Sequence, residues 1–277
     1  MSGKPRTSLT FDPATVDLDG LLKRLSLANA RKTWRSMLER AESERWSCRE
    51  FLGVLVTEEV AQRQQTRIQR AVHQAHFPFL KTIDDFDFSL QSSLRLQLLG
   101  NYLSPEMVSE GRNLILLGKS GRGKTHLAIA IAYRAIQNGY NASFVTAAAL
   151  IEELSQASID RRLHDALLPY IQPHVLIIDE VGYLSYGPDA ANVLFHVVNE
   201  RHKRGRPMLF TTNKSPLATW GDVLHDHDLA EAIVDRVLEK GRLIVVDGPS
   251  YRTRHLDLDS AQATRKEAVR ISGKSRP

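Results

Sequence analysis

One short stretch decides the fold of this chain, and it reads Gly118-Lys119-Ser120-Gly121-Arg122-Gly123-Lys124-Thr125. It fits the phosphate-loop pattern G-x-x-x-x-G-K-[ST]. The four residues before it, 114–117, are all apolar and predict a buried parallel strand. The residues after it, 126–136, are rich in Ala and contain neither Gly nor Pro, which predicts a helix. Strand, loop and helix together predict that the chain binds a nucleoside triphosphate.

The residue types in this loop suit a phosphate group. Glycines let the backbone close around an anion, and the amides at the N-terminus of the following helix point at it. Lys124 is expected to reach the β- and γ-phosphates, and Thr125 to ligate Mg²⁺, so the expected cofactors are ATP and Mg²⁺. The predicted nucleotide-binding residues are Gly118, Lys119, Ser120, Gly121, Arg122, Gly123, Lys124, Thr125 and His126.

A second motif predicts hydrolysis. The apolar run 175–178 ends in Asp179 and Glu180, which predicts a buried strand with two carboxylates at its carboxyl end. Asp179 fits the Walker-B aspartate that holds Mg²⁺, so Thr125 and Asp179 are the predicted metal ligands. Glu180 is placed to orient or deprotonate the attacking water. A metabolic phosphotransferase is the alternative, but it needs an acceptor pocket, and a Glu here is typical of ATPases.

The whole chain has an ordinary composition for a soluble protein. Of its 277 residues, 42% are hydrophobic and 25% are charged, which is enough apolar material for a core. The single cysteine, Cys48, excludes an intramolecular disulfide and is typical of a reducing compartment. No run approaches the roughly 18 apolar residues of a membrane span, and the N-terminus has no apolar signal segment. We therefore expect a cytoplasmic protein with no membrane partner.

Positive charge lies outside the nucleotide-binding region. Residues 1–81 carry 14 Lys and Arg against 9 Asp and Glu, and residues 261–277 carry 5 against 1. The middle of the chain, 82–260, carries 18 against 22. A basic excess on the appendages of a mildly acidic domain is typical of a protein that binds a polyanion. On charge alone, a solvated surface explains the same distribution equally well.

The first 81 residues predict a small helical domain. Apolar residues recur at spacings of three and four from Leu21, and Ser47 is placed to cap a long helix that reaches Ala75. Arg63, Arg67 and Arg70 share one face of that helix. These three arginines are candidate DNA phosphate contacts, and a solvated helix face is the alternative. Residues 261–277 are expected to form a disordered basic tail.

Residues 82–260 alternate between strand and helix patterns. The predicted strands are 114–117, 142–145, 175–178, 208–211 and 242–246. Five short apolar runs separated by helices predict an α/β fold with a five-stranded parallel sheet. Two helices are predicted within 147–171, and this insertion carries Arg161 and Arg162, two further candidate DNA contacts. The segment 83–88 is interpreted as the linker between the two domains.

Two polar positions follow the later strands. Asn213 stands at the tip of the fourth strand, where it could hydrogen-bond the attacking water, although it could also be a turn residue. Asp228 and Glu231 fit a capping box that starts a helix over 229–239. This explanation of the 225–228 segment, which alternates His and Asp, is preferred to a metal site.

These motifs together resemble the AAA+ ATPases of the initiator and helicase-loader branch. The resemblance rests on the phosphate loop, Asp179-Glu180, Asn213, Asp235-Arg236 and the ending Gly248-Pro249-Ser250-Tyr251-Arg252. It is strongest to the IstB-like ATPases, the helpers of insertion-sequence transposition, and next to the DnaC-type helicase loaders. The resemblance implies an AAA+ phosphate-loop fold behind a small all-α N-terminal domain.

The resemblance also implies roles and partners. It makes Asn213 the sensor-1 residue, Arg236 the arginine finger that reaches a neighbouring subunit's nucleotide, and Arg252 the sensor-2 arginine. Arg201 and Arg204 are rival finger candidates. An IstB-like protein is expected to form a homo-oligomer on double-stranded DNA, with ATP bound between subunits, and to recruit or stimulate the transposase of the same element. A DnaC-like loader would instead bind a helicase ring.

Overall fold

The computed structural model of the chain describes residues 16–91 and 94–252. Two compact units make up the chain, Met1–Gln69 and Arg70–Pro277, and the division falls inside a long helix rather than after residue 81. The helices are α1 (Leu18–Arg24), α2 (Ala28–Ser43), α3 (Cys48–Gln74), α4 (Leu96–Leu103), α5 (Glu106–Ser109), α6 (Lys124–Gln137), α7 (Ala147–Ile159), α8 (Leu163–Ile171), α9 (Ala190–Lys203), α10 (Trp220–Leu224) and α11 (His227–Glu239). The strands are β1 (Asn113–Leu117), β2 (Ala142–Thr146), β3 (Val175–Val181), β4 (Met208–Thr212) and β5 (Gly241–Val245). The predicted tail over 261–277 lies outside the described residues.

The long helix of the first unit begins where the sequence predicts. The Ser47 hydroxyl accepts a hydrogen bond from the backbone N–H of Glu50 at 3.3 Å, and the Glu50 carboxylate accepts one from the Ser47 N–H at 2.7 Å. This reciprocal pair is a capping box, which satisfies backbone donors that the first turn leaves free. The helix α3 then runs to Gln74, one residue short of the predicted end.

A buried carboxylate joins α2 to α3. The residue before α2, Leu27, offers no side-chain cap. Glu59 of α3 replaces it, because its carboxylate accepts a hydrogen bond from the backbone N–H of Ala30 at 2.8 Å. Glu59 is 4% exposed, and the first unit also buries the apolar side chains of Leu22 and Met37. The first unit is therefore held together partly by a polar contact that its apolar periodicity does not reveal.

The second unit is built on one parallel sheet in the order β2-β3-β4-β1-β5. All five predicted strands are present. Their apolar side chains alternate between two layers of helices. Ile115, Ile178 and Phe210 face the core shared with α7 to α11, and α6 packs against the sheet without belonging to that core. The predicted five-stranded parallel α/β fold is confirmed.

The strand β3 runs past its predicted end at residue 178 to Val181 because it contains a bulge. Ile178 pairs with Phe210 and Val181 pairs with Thr212, so Asp179 and Glu180 both lie opposite Thr211. Glu180 has a φ of 61°, in the left-handed region that residues other than Gly seldom adopt. An extra residue in one strand bends it and re-aims side chains, and here the bulge contains the two predicted catalytic carboxylates.

The predicted capping box at Asp228 and Glu231 is wrong. The N-cap of α11 is Asp226, whose carboxylate accepts a hydrogen bond from the Leu229 N–H at 2.9 Å. His225, with a φ of 59°, ends α10 and turns the chain, so that Asp226 enters the next helix in an extended conformation. Asp228 therefore lies inside the first turn. No helix within 16–91 or 94–252 is long and apolar enough to cross a membrane.

Candidate nucleotide-binding site

The phosphate loop connects β1 to α6 at the carboxyl edge of the sheet. Gly121 and Gly123 have φ values of 79° and 87°, which favour glycine. A Cβ atom at Gly121 would lie 2.3 Å from the Ser250 hydroxyl, and one at Gly123 would lie 2.7 Å from the Phe86 ring. Both glycines are thus favoured by backbone conformation and by close packing, and Gly123 is the second fixed glycine of the phosphate-loop pattern.

Lys124 is a buried cation in the floor of this loop. It is 5% exposed, and its ammonium donates to the Lys119 carbonyl and to the Tyr183 hydroxyl, both at 2.9 Å. Burial lowers the pKa of Lys124 to about 8, against the opposing attraction of the Asp179 and Glu180 carboxylates. A cation that is this poorly solvated, at the N-terminus of α6, is arranged to receive an anion.

Thr125 and Asp179 are brought together as predicted. The Thr125 hydroxyl lies 2.9 Å and 3.1 Å from the two carboxylate oxygens of Asp179, which is 5% exposed. Hydroxyl and carboxylate oxygens are the hard ligands that Mg²⁺ prefers. The donor set and its place beside the glycine cradle fit the cation that accompanies a nucleotide.

Glu180 lines the same cleft as the phosphate loop. The cleft has a volume of about 610 Å³ and includes Lys124, Thr125 and Glu180 among its lining residues. The Glu180 side chain is exposed to it, and the Glu180 backbone N–H is fixed by a 2.9 Å hydrogen bond to the Thr211 hydroxyl. A glutamate whose backbone is fixed and whose carboxylate faces the cleft can orient a water molecule.

The cleft has a wall that the sequence interpretation treated as a linker. His126 lies 2.8 Å from the Thr82 carbonyl through its Nε2, and its ring meets the Phe86 ring edge-on at 5.2 Å. Tyr251 donates from its backbone N–H to the Gly121 carbonyl at 2.9 Å. The aromatic residues within the acidic stretch 83–88 were the available signal, because a solvated linker has no need of them.

The C-terminal part of the described chain closes the cleft on the same side. Arg122 forms an ion pair with Asp247. Arg252 is exposed and lines the cleft. Asn213 follows β4 directly and is exposed, and it is not among the described residues that line the cleft. The structure therefore joins Arg252 to the phosphate loop and leaves Asn213 at the adjacent strand end.

Comparisons with known proteins identify the family of this chain. The chain matches the IstB-like ATP binding protein family over residues 20–258. It belongs to that family. An insertion sequence IS5376 putative ATP-binding protein of Geobacillus stearothermophilus is 37% identical over 83% of this chain and 91% of its own length. An IS21 putative ATP-binding protein of Pseudomonas aeruginosa is 34% identical over 86% of this chain and 89% of its own.

The solved structures show the fold. AMPPCP-bound DnaA from Aquifex aeolicus superposes with a TM-score of 0.50 at 19% identity, over 62% of this chain and 51% of that chain. At this identity the likeness concerns architecture alone. It agrees with the α/β fold of the second unit, and membership of the IstB-like ATP binding protein family supports nucleotide binding.

Arg236 of this IstB-like chain lies on α11, outside the described lining of its own cleft. Its guanidinium stacks on the Phe195 ring at 4.5 Å and donates to the Ala232 carbonyl at 3.3 Å. The stacking holds a long side chain in one direction while leaving it partly exposed.

The rival candidate Arg201 is structural. It is fully buried and donates to the backbone carbonyls of Tyr170, Pro173, His174 and Pro207 at 2.7–3.0 Å. Those carbonyls lie at the amino edge of the sheet, away from the phosphate loop. Arg204 pairs with Glu200 at 3.6 Å on the surface of α9. Arg201 cannot serve as a finger without dismantling this cluster.

The candidate DNA contacts differ in how they are held. Arg63 forms an ion pair with Glu59 at 2.7 Å and donates to the Ser26 carbonyl, so its guanidinium is engaged within the first unit. Arg67 and Arg70 lie further along α3. Arg63 is therefore used by the fold of the first unit.

Arg161 and Arg162 occupy a fixed turn between α7 and α8, the two helices predicted within the insertion. The N–H of Arg162 donates to the Ala157 carbonyl at 2.8 Å, and that of Arg161 donates to the Ser158 carbonyl at 3.1 Å. This is a Schellman motif in which Arg161, with a φ of 57°, takes the left-handed position that usually holds Gly. Both arginines are exposed at the tip.

Proposed function

We propose that this IstB-like protein is a Mg²⁺-dependent ATPase that assembles on double-stranded DNA and assists the transposase of its insertion sequence. The observation that carries the enzymatic part is the contact of Thr125 with Asp179, in one cleft with Lys124 and Glu180. A binding protein without turnover has no need of a carboxylate aimed into the cleft beside the metal ligands. We place its activity in the cytoplasm, where ATP and DNA are available.

Each residue of the cleft has a defined task in this proposal. Lys124 and the α6 amides neutralise the phosphates, and Thr125 and Asp179 hold Mg²⁺, which supplies positive charge to the terminal phosphates. Glu180 accepts the proton of the attacking water or orients it, and Asn213 assists from the end of β4. Arg252 stabilises charge on the nucleotide of its own subunit.

The ATPase site is proposed to be completed by a second subunit. Arg236 is rigidly held by Phe195 yet lies outside the lining of its own cleft, which supports action across a subunit boundary. A planar, permanently charged guanidinium is suited to the developing phosphoryl charge. Hydrolysis would then depend on assembly, and the oligomer would come apart as ATP is consumed.

Mixing two inactive variants tests the shared site. Arg236→Ala should keep nucleotide affinity and lose hydrolysis, by about 10³- to 10⁵-fold if it matches the fingers of related chemistry. Glu180→Gln should also bind and fail to hydrolyse. A mixture should regain part of the activity, because some interfaces then contain both sound residues. Absence of rescue, when subunit exchange is demonstrated by fluorescence energy transfer, contradicts a shared site.

DNA binding is proposed to use the tip of the insertion. The support is the exposure of Arg161 and Arg162 and the hydrogen-bonded turn that carries them. Arg67 and Arg70 of α3 remain the second candidate pair. Contacts of this kind go to phosphates and carry little sequence information.

A salt titration separates the two pairs. Each phosphate contact contributes a slope of about −0.9 to log affinity against log salt concentration. Replacing both Arg161 and Arg162 with Gln should weaken ATP-dependent binding equally on unrelated duplexes and flatten the slope by up to about 2. The control replaces Lys203 and Arg204, which are exposed cations at the end of α9. If the slope is unchanged when Arg161 and Arg162 are replaced but changes when Arg67 and Arg70 are replaced, the DNA contacts lie on α3.

The proposed partner is the transposase, since the curated relatives at 34–37% identity carry insertion-sequence names. The helicase-loader alternative has no comparable support. Strand-transfer assays with the transposase encoded beside this gene should show stimulation that requires ATP. Stimulation of helicase loading without any effect on strand transfer contradicts the proposal.

A further inference from the structure

The hydroxyl of Thr211 contacts both carboxylate residues of the site. Thr211 is fully buried in β4, and its Oγ1 donates to Oδ1 of Asp179 at 2.5 Å. The same oxygen accepts a hydrogen bond from the backbone N–H of Glu180 at 2.9 Å. One side chain therefore holds the proposed metal ligand by its carboxylate and the proposed base by its backbone.

The bulge in β3 explains why a hydroxyl is needed at this position. Asp179 and Glu180 together face Thr211, because Ile178 pairs with Phe210 and Val181 pairs with Thr212. With a φ of 61°, Glu180 departs from the strand conformation, and its part-buried N–H bonds to a partner other than a regular ladder carbonyl. The Thr211 oxygen is that partner, and its proton remains available for Asp179.

We propose that Thr211 is a positioning residue that sets the Asp179 carboxylate for Mg²⁺ and fixes the direction of Glu180 in the same step. The proposal rests on the proposed Mg²⁺-dependent hydrolysis. Thr125, the other donor to Asp179 in the described chain, is itself a proposed metal ligand. The Thr211 hydroxyl accepts a hydrogen bond from the Glu180 N–H and donates one to the Asp179 carboxylate. It can therefore hold that carboxylate in place while the Thr125 hydroxyl binds the cation. Partners of this kind typically alter metal affinity about 10- to 100-fold when removed.

The neighbouring threonine is a matched control. Thr212 is also fully buried, but its hydroxyl donates to the Val181 carbonyl at 2.7 Å and accepts from the Lys214 N–H at 3.1 Å. It has the same shape, lies in the same strand and touches neither carboxylate side chain. Removing the Thr212 hydroxyl measures how far the loss of any buried hydroxyl at this strand end alters Mg²⁺ dependence and hydrolysis.

The test compares Thr211→Val, Thr211→Ser and Thr212→Val in the full chain. A fluorescent ATP analogue measures nucleotide affinity in EDTA and across a Mg²⁺ titration, and phosphate release measures hydrolysis. Thr211→Val should raise the Mg²⁺ concentration for half-maximal effect about 10-fold or more and leave affinity in EDTA unchanged. Thr211→Ser, which keeps the hydroxyl, should return to within about 3-fold of the parent, because it restores most of that metal affinity.

An unchanged Mg²⁺ dependence in Thr211→Val overturns the proposal, and so does an equal shift in Thr212→Val. If Thr211→Val does not fold by circular dichroism, Thr211→Ala takes its place, since it removes the hydroxyl without introducing a new methyl group. The Mg²⁺ effect on analogue binding is measured without turnover. A parent protein that binds Mg²⁺ and nucleotide but does not hydrolyse ATP would therefore refute the ATPase, while the Thr211 comparison would still be decided.

Discussion

Two buried cations stand at opposite edges of the same sheet, and they are held in opposite ways. Lys124, at the carboxyl edge, has two neutral acceptors and begins helix α6. Arg201, at the amino edge, donates to four backbone carbonyls and lies near the end of α9. A helix N-terminus repels a cation, whereas a C-terminus and its free carbonyls attract one.

This difference distinguishes a cation that is available to bind a ligand from one that stabilises the fold. Burial lowers the pKa of both side chains, but each terminal nitrogen of Arg201 donates to two backbone carbonyls, while its Nε has no hydrogen-bond partner among the described residues. Lys124 retains an unfavourable environment that an incoming phosphate would relieve. Burial alone therefore does not identify a functional cation. Its hydrogen-bond partners, and the end of the helix at which it lies, show whether it serves the fold or a ligand.

The largest effect is expected at the amino edge. Arg201→Met removes the donor to four backbone carbonyls, two of them in buried hydrogen bonds. Each unsatisfied buried group costs about 1–3 kcal/mol, so the free energy of unfolding should fall by about 3 kcal/mol. Chemical denaturation measures this, and hydrogen exchange of β3 and β4 amides locates it. The matched control Arg204→Met, at an exposed position, should change stability by less than about 0.5 kcal/mol. Equal effects in the two variants would remove the distinction between the edges.

At the carboxyl edge, we expect that removing the cation does not lower the free energy of unfolding. Lys124→Met removes a poorly solvated charge, so the nucleotide-free protein should be no less stable than the parent. Nucleotide affinity should fall about 10- to 100-fold, as expected for a lost charge-assisted hydrogen bond. Thermal melting and calorimetric titration measure the two quantities. A strong destabilisation without nucleotide would show that Lys124, too, is a structural cation.

The pH dependence sharpens the same contrast. Burial lowers the pKa of Lys124 to about 8, so its ammonium loses its proton as pH rises through that value. ATP affinity should therefore fall above about pH 8, with uptake of up to one proton on binding there. The unfolded chain keeps that proton up to the ordinary lysine pKa of 10.5. Between about pH 8 and that value, the contribution of Lys124 to the stability of the nucleotide-free protein therefore rises with pH. Calorimetry in buffers of different ionisation enthalpy counts the protons, and no uptake at pH 8.5 contradicts the pKa shift.

The smallest effects are expected in the first unit, where a carboxylate rather than a cation is buried. Glu59→Gln weakens the cap of α2 and should cost about 1–2 kcal/mol. Arg63→Gln breaks a partly exposed ion pair and should cost about 0.5 kcal/mol. Hydrogen exchange at the Ala30 amide reports both changes. A loss of DNA affinity in Arg63→Gln with unchanged exchange would return Arg63 to the DNA-binding candidates.

Local motifs predicted the parts of this molecule that local geometry builds. The phosphate loop, the five strands and the contact of Thr125 with Asp179 follow from a strand, a glycine turn and a helix start. The segment over 83–88 was misjudged, because its role as a wall depends on packing against Gly123 and His126. Periodicity alone could not tell that Arg63 would be engaged by Glu59.

The missed residues depend on long-range register. Tyr183 and Thr211 reach the site because β3 bulges after Ile178, and no nearby spacing marks a bulge. The cap at Asp226 was missed because the sequence offers two acidic residues, and the turn at His225 decides between them. Arg201 was weighed as a finger because charge is visible in a sequence and burial of that charge is not.

The most direct test of the account compares Glu180→Gln with the parent protein in two assays. We predict Mg²⁺-dependent ATP affinity close to that of the parent, because Lys124, Thr125 and Asp179 are intact. Single-turnover hydrolysis should fall by about 10²-fold or more, the usual contribution of a positioned general base. Hydrolysis at the parental rate would contradict the assignment of this cleft as a hydrolytic site built around Glu180.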